Sequence, residues 1–152
     1  MPTTNDGFMT LLEMCDPDPP RVSVEATVAD AIRTMLTQHV GAVGIVDNEG
    51  RIAGIFTERD VLRKLALSGR DPMNTPVLDV MTTPVELATL ATTAAEALAT
   101  MLERHYRHLP VVDDHGKMLG MLSIRNLLQA KIDDLTRQLE HPGSGRRSGG
   151  TR

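Results

Sequence analysis

Apolar and polar positions along this chain follow one pattern twice, at an offset of 66 residues that holds without a gap. Thr27 matches Thr93, Ala31 matches Ala97, Met35 matches Met101 and His39 matches His105. Further on, Val46-Asp47 matches Val112-Asp113, and Gly50, Gly54, Arg59 and Leu62 match Gly116, Gly120, Arg125 and Leu128. Self-similarity at a fixed period marks a fold assembled from copies of one unit.

Each copy predicts the same elements. A short strand around Val22-Ser23-Val24 leads into Thr27-Val28-Ala29-Asp30, a capping box with its acid three residues after the threonine; Thr93-Ala94-Ala95-Glu96 is its twin. The helix that follows places Val28, Ala31, Ile32, Met35 and Leu36 on one face, and its twin places Ala94, Ala97, Leu98, Met101 and Leu102 there. Apolar runs at 43–46 and 109–112 read as strands, each closed by a glycine-containing turn before a second strand at 52–56 or 118–122. Thr57 and Ser123 stand where a hydroxyl caps a final helix. The first such helix stops at Ser68-Gly69, and the second runs longer, from about Ser123 to Glu140, with Leu127 and Leu128 turned to its own repeat.

One such unit is too small to bury both faces of its sheet, so two copies are expected to pack face to face. The expected class is α/β, with α+β-type layers: two tandem β-α-β-β-α repeats related by a pseudo-two-fold axis. The first repeat takes 11–69, a linker with two prolines takes 70–76, and the second repeat takes 77–140. The Gly, Ser and Arg-rich stretch 141–152 is expected to be disordered.

Composition narrows the chemistry. The core must be aliphatic, because the 152 residues include no Trp, one Tyr and two Phe, so a planar ligand would lie between Val, Ile, Leu and Met side chains. A net charge of −4 argues against nucleic acid, which leaves a basic footprint. One cysteine, Cys15, cannot form an internal disulfide; with no signal-peptide pattern and no run long enough to cross a bilayer, a cytoplasmic location is expected. Cys15 and the methionines read as core filling. His39 and His105 read as polar tips suited to helix C-termini, and His105 with His108 lacks the further ligands a metal site needs.

A strand, a hydroxyl residue and a helix start together put unpaired amides where an anion is favoured. An Asp three residues into that helix sits on the same rim and accepts hydrogen bonds from a vicinal diol. Read one at a time, the bland accounts suffice: Thr57 and Ser123 as caps, Asp60 as a solvated helix residue, Arg59 and Arg125 as surface charges.

The paired segments Gly54-Ile55-Phe56-Thr57-Glu58-Arg59-Asp60 and Gly120-Met121-Leu122-Ser123-Ile124-Arg125-Asn126 resemble the nucleotide motif of cystathionine-β-synthase (CBS) repeats, and the segments 108–113 and 79–82 resemble other stretches typical of that family. The chain is similar to free-standing bacterial and plant-organelle CBS pairs over roughly 11–140. That resemblance implies a regulatory module, not an enzyme, binding AMP, ADP or ATP, with Asp on ribose, Ser/Thr facing phosphate and adenine read by main chain near the opposite repeat. It places Arg107, His108, Met121, Ser123, Arg125 and Asn126 in one cleft with backbone near Arg21-Val22 and Val40-Gly41. Thr57, Arg59 and Asp60 belong to the other.

Phosphate-rich ligands are expected at the cleft of Arg107 and His108, a histidine able to gain charge below about pH 6.5, since the first repeat has only Gly41-Ala42 at those positions. Asn126 in place of Asp forfeits a charge-assisted bond there. The alternative is a ligand-free structural module. Ile132, Leu135 and Leu139 on the last helix call for a partner surface, so a homodimer is expected, serving an unidentified regulated protein.

Overall fold

The computed structural model describes residues 10–16 and 18–140, so the stretch 141–152 lies outside the described residues. The first half runs α1 (Leu11–Met14), β1 (Arg21–Ser23), α2 (Val28–Gln38), β2 (Ala42–Val46), β3 (Ile52–Thr57) and α3 (Glu58–Asp60), which continues as a π-helical stretch (Val61–Leu65). A 3-10 turn (Val77–Asp79) precedes β4 (Ala88–Thr89), α4 (Ala94–Arg104), β5 (His108–Val112), β6 (Met118–Ser123) and α5 (Ile124–Glu140).

Each half holds a three-stranded sheet, ordered β1-β2-β3 or β4-β5-β6, with the first strand parallel and the third antiparallel to the central one. The registers repeat as well: Val43 faces Phe56 as Leu109 faces Leu122, and both central strands shift register at their last residue.

Local chemistry explains the helix ends. Thr27 with Asp30 and Thr93 with Glu96 form full capping boxes, each hydroxyl accepting from the acid's own amide and each carboxylate from the threonine's amide. His39 and His105 end α2 and α4 in the left-handed region, at φ 57° and 62°. The next amides, of Val40 and Tyr106, reach back to the carbonyls of Met35 and Met101. These histidines therefore terminate helices through backbone conformation, which histidine tolerates better than branched residues do.

The stretch 70–76 is fastened down. The Thr75 and Pro72 carbonyls accept from the Val28 and Ala29 amides, at 2.8 and 3.0 Å, satisfying two donors that α2 leaves unpaired at its start.

Three clusters make up the core. One lies within the first half around Val28, Ile45 and Phe56, one within the second around Met101, Leu109 and Leu122, and a third (Ala42, Val46, Ile55, Met118, Met121) joins them. Reciprocal bonds reinforce the junction: the Ile52 amide donates to the Gly116 carbonyl and the Met118 amide to the Gly50 carbonyl, both at 3.0 Å.

The halves also exchange segments. Leu11, ahead of β1, is buried in the second half's core, whereas Val77 and Val80, ahead of β4, are buried in the first half's. At the 66-residue offset, Leu11, Met14 and Cys15 correspond to Val77, Val80 and Met81. Gly54 and Gly120 give the crossing segments room. A Cβ on Gly54 would lie 2.5 Å from Met81 Sδ, and one on Gly120 would lie 3.0 Å from Cys15 Sγ. Full burial of an aliphatic side chain contributes about 1.5–3 kcal/mol, so each half helps to stabilise the other.

Three leucines depart from expectation. Leu36 and Leu102 do not join the buried helix faces, and Leu128 does not turn to its own repeat; they are 69%, 61% and 55% exposed. Each follows a buried residue (Met35, Met101, Leu127) by one position, about 100° further round the helix, beyond what one small sheet covers.

Candidate functional site

Two cavities lie where the halves meet. The larger, about 710 Å³, is bordered by the start of α3, the π-helical stretch, Thr82 and the segment that joins α4 to β5. The smaller, about 280 Å³, is bordered by the start of α5, the end of α2 and the loop before β1. Gly41, Glu58, Arg107 and His108 touch both, forming the wall between them.

In the larger cavity Thr57 caps α3. Its hydroxyl accepts from the Asp60 amide at 3.2 Å, and the Asp60 carboxylate accepts from the Thr57 amide at 3.0 Å. The same carboxylate accepts from the Thr82 hydroxyl at 2.9 Å and pairs with Lys64 Nζ at 3.2 Å. Asp60 is buried, only 5% exposed, so the reading of it as a solvated surface acid is corrected: four contacts from three residues, Thr57, Thr82 and Lys64, partner the carboxylate. Arg59 spans the halves, donating to the carbonyl of His105 at 2.9 Å.

The smaller cavity repeats the cap with an amide. The Ser123 amide donates to Asn126 Oδ1 at 2.8 Å, and the Asn126 amide donates to Ser123 Oγ at 2.9 Å. Arg107 is tied to the same helix start, because its carbonyl accepts from the Ile124 amide at 2.9 Å. Val40, Gly41, Arg107, His108, Met121, Ser123, Arg125 and Asn126 thus meet around one space. Neighbouring side chains crowd Gly41: a Cβ on it would lie 2.9 Å from Glu58 Oε1 and 3.3 Å from His108 Cε1.

Arg21 and Val22 are the exception. Arg21 leans on the Pro19 carbonyl, Val22 packs on the first half's core, and neither lines a cavity; Pro20 and Asp16 take that part of the wall.

Two electrostatic expectations change. Burial, with Arg107 and then Arg125 nearby, lowers the His108 pKa from 6.5 to about 4, so the ring is a neutral hydrogen-bonding group near neutral pH and not a cation in reserve. Cations are also not confined to one cleft, since Arg107 borders both and the larger adds Arg59, Arg63, Lys64 and Arg104. Their commitment differs in part: in the larger cavity Lys64 is held by Asp60, Arg104 by Glu86 at 3.2 Å and Arg59 by the His105 carbonyl, while Arg63 forms no ion pair among the described residues. Among the described residues, Arg107 and Arg125 form no ion pair.

Asp16, His39 and Glu58 border the smaller cavity without having been expected there from the sequence, where His39 had a helix-end role alone. The repeat offset carried a signal for Asp16, which stands opposite Thr82. Cys15 donates weakly to the Leu11 carbonyl at 3.4 Å, and burial, followed by the charge of Asp16, pushes its thiol up to about 11. Among the described residues no group of three or more His, Cys, Asp or Glu side chains is placed to hold a metal, and no helix is long and apolar enough to cross a membrane.

Two intertwined sheet-and-helix repeats with clefts at their junction define a tandem-repeat module. Residues 12–67 and 77–133 each match the CBS domain, and the chain belongs to that family. It is 36% identical over 122 residues to the mitochondrial CBS domain-containing protein CBSX3 of Arabidopsis thaliana, covering 78% of this chain and 59% of that one. A protein with CBS domains from Burkholderia ambifaria shares the fold at TM-score 0.71 and 38% identity, covering 78% of this chain and 85% of that one. The CBS domain pair of protein MJ0100, solved with 5-methylthioadenosine and S-adenosyl-L-methionine, shares it at TM-score 0.74 and 18% identity, covering 84% and 98%.

Proposed function

We propose that this chain is a regulatory module that binds an adenine mononucleotide in the smaller cleft and alters how a partner protein is engaged. CBS pairs are regulatory modules, and the pair of MJ0100 was solved with two adenosine compounds. The observation that carries the reading is the joining, around one cavity, of a capped helix start (Ser123, Asn126) with two uncommitted guanidinium groups, Arg107 and Arg125. Amides at a helix N-terminus and free arginines favour a phosphate together. At about 280 Å³ the space sits near the ~300 Å³ lower bound of small-ligand sites, which suits one nucleotide better than two.

Calorimetry and thermal melting with AMP, ATP and adenosine test this. AMP at a hundredfold excess over its Kd is expected to stabilise the protein by about 2.7 kcal/mol. Arg125→Ala is expected to weaken binding, and Arg63→Ala, which borders only the larger cavity, to leave it unchanged. Unchanged melting with every adenine compound would overturn the reading in favour of a structural module.

A second copy of the chain is the proposed assembly partner. Leu36 with Leu62 and their twins Leu102 with Leu128 are exposed in equivalent places, and Ile132, Leu135 and Leu139 extend the apolar surface along α5. A face that repeats about an internal axis matches the self-complementary surface of a two-fold dimer. Light scattering at micromolar concentration is expected to give twice the chain mass; a monomeric mass would refute the dimer.

A further inference from the structure

The two clefts differ by an exchange that the repeat offset exposes. In the larger cleft the motif position holds a carboxylate, Asp60, and the crossing segment supplies a hydroxyl, Thr82, which donates to it at 2.9 Å. In the smaller cleft the motif position holds an amide, Asn126, and the residue that corresponds to Thr82 is Asp16. One cleft carries its carboxylate on the helix and the other carries one on the crossing segment. Asp16 and Asn126 border the same cavity.

The residue before Asp16 is seated as the one before Thr82 is. Met81 packs against Gly54 just before Thr82, and Cys15 packs against Gly120 just before Asp16, with Cys15 Sγ 3.0 Å from where a Cβ would stand. Asn126 Oδ1 is occupied by the Ser123 amide, which leaves the side-chain NH₂ as this residue's contribution to a ligand. A vicinal diol offers two donors and two acceptors, so it needs an acceptor as well as a donor opposite it.

We infer that Asp16 and Asn126 together read the ribose diol in the smaller cleft, Asp16 accepting from the 2′-hydroxyl and Asn126 donating to the 3′-hydroxyl. This rests on the adenine-nucleotide reading above and adds its specificity: a ribonucleotide is preferred to its 2′-deoxy form, and the preference lies on a residue outside the family motif. An ionised acceptor makes the stronger bond, and a carboxylate at position 16 supplies what Asn126 lacks.

The test is calorimetry of AMP and 2′-deoxy-AMP on the full chain, for wild type, Asp16→Asn, Arg125→Ala and the exchange variant Asp16→Thr with Asn126→Asp. Asp16→Asn is expected to weaken AMP about tenfold, the scale of one charged hydrogen bond, with little change for 2′-deoxy-AMP. Arg125→Ala is expected to weaken both nucleotides alike, and the exchange variant to recover AMP affinity to within a few-fold.

Equal losses for both nucleotides in Asp16→Asn, or no loss, overturn the role of Asp16, and the nucleotide reading stands if Arg125→Ala still weakens both. Absence of AMP binding in the folded wild type overturns both proposals. Should Asp16→Asn fold poorly, the wild-type preference for AMP over 2′-deoxy-AMP decides: no preference refutes the inference.

Discussion

The carboxylate of Asp60 and the amide of Asn126 occupy the same place in the two repeats, three residues beyond a capping hydroxyl, yet their surroundings differ in kind. Around Asp60 the fold supplies Thr57, Thr82 and Lys64, and the group is buried and fully partnered within the protein. Around Asn126 it supplies one backbone donor and leaves the neighbouring arginines without ion partners among the described residues. In the repeat with the fuller motif the carboxylate also ties the fold together. A motif residue therefore marks a place in the fold, and whether that place is open to a ligand depends on what crosses over it.

Substitution at the motif positions gives the largest effect by which this contrast can be broken. Asp60→Ala leaves Lys64 and the Thr82 hydroxyl without their shared acceptor, and is expected to destabilise the protein by about 2–3 kcal/mol, at the low end for a broken buried pair because Lys64 can swing to water. Asn126→Ala removes only a cap partner and is expected to cost about 1 kcal/mol. Urea denaturation midpoints compare the two; equal losses would mean that the two caps carry the same load.

A smaller effect sharpens the contrast through pH. The folded protein keeps His108 neutral down to about pH 4, whereas the unfolded chain takes up that proton near 6.5. Protons thus bind the unfolded chain more readily, and stability falls as pH drops from about 6.5 towards 4. Between pH 7 and 5 the expected loss is roughly 1–2 kcal/mol. It should shrink in His108→Gln, since glutamine does not titrate, and denaturation midpoints at the two pH values check it. An equal loss in the variant would remove His108 as the cause.

What could be read from the residues was what they decide locally. Thr27-Asp30, Thr93-Glu96 and Ser123-Asn126 announce helix starts within four residues, and the offset of the glycines announces a duplicated fold. Leu36, Leu102 and Leu128 were misplaced because periodicity finds a stripe but not the width of the surface that covers it. The neutral state of His108 was hidden because it depends on burial and on Arg125, seventeen positions away. Asp16 escaped notice for a similar reason: its meaning comes from the crossing of its segment onto the other half. The offset that aligned Gly54 with Gly120 already paired it with Thr82, but only the packing of Cys15 on Gly120 makes that pairing physical.

That crossing bears on how such a fold can arise. Each copy of the unit carries, ahead of its first strand, the apolar residues that close its neighbour's core, Leu11 for one and Val77 with Val80 for the other. A solitary copy would extend its covering segment into water and leave its own sheet bare. It becomes complete only against a second copy that reaches back, whether on another chain or on the same one. An ancestor of single units would have been an obligate, arm-exchanged pair. Fusing two of them in tandem would make the exchange intramolecular and leave each copy free to change separately, and the two copies here do differ at the helix and at the arm.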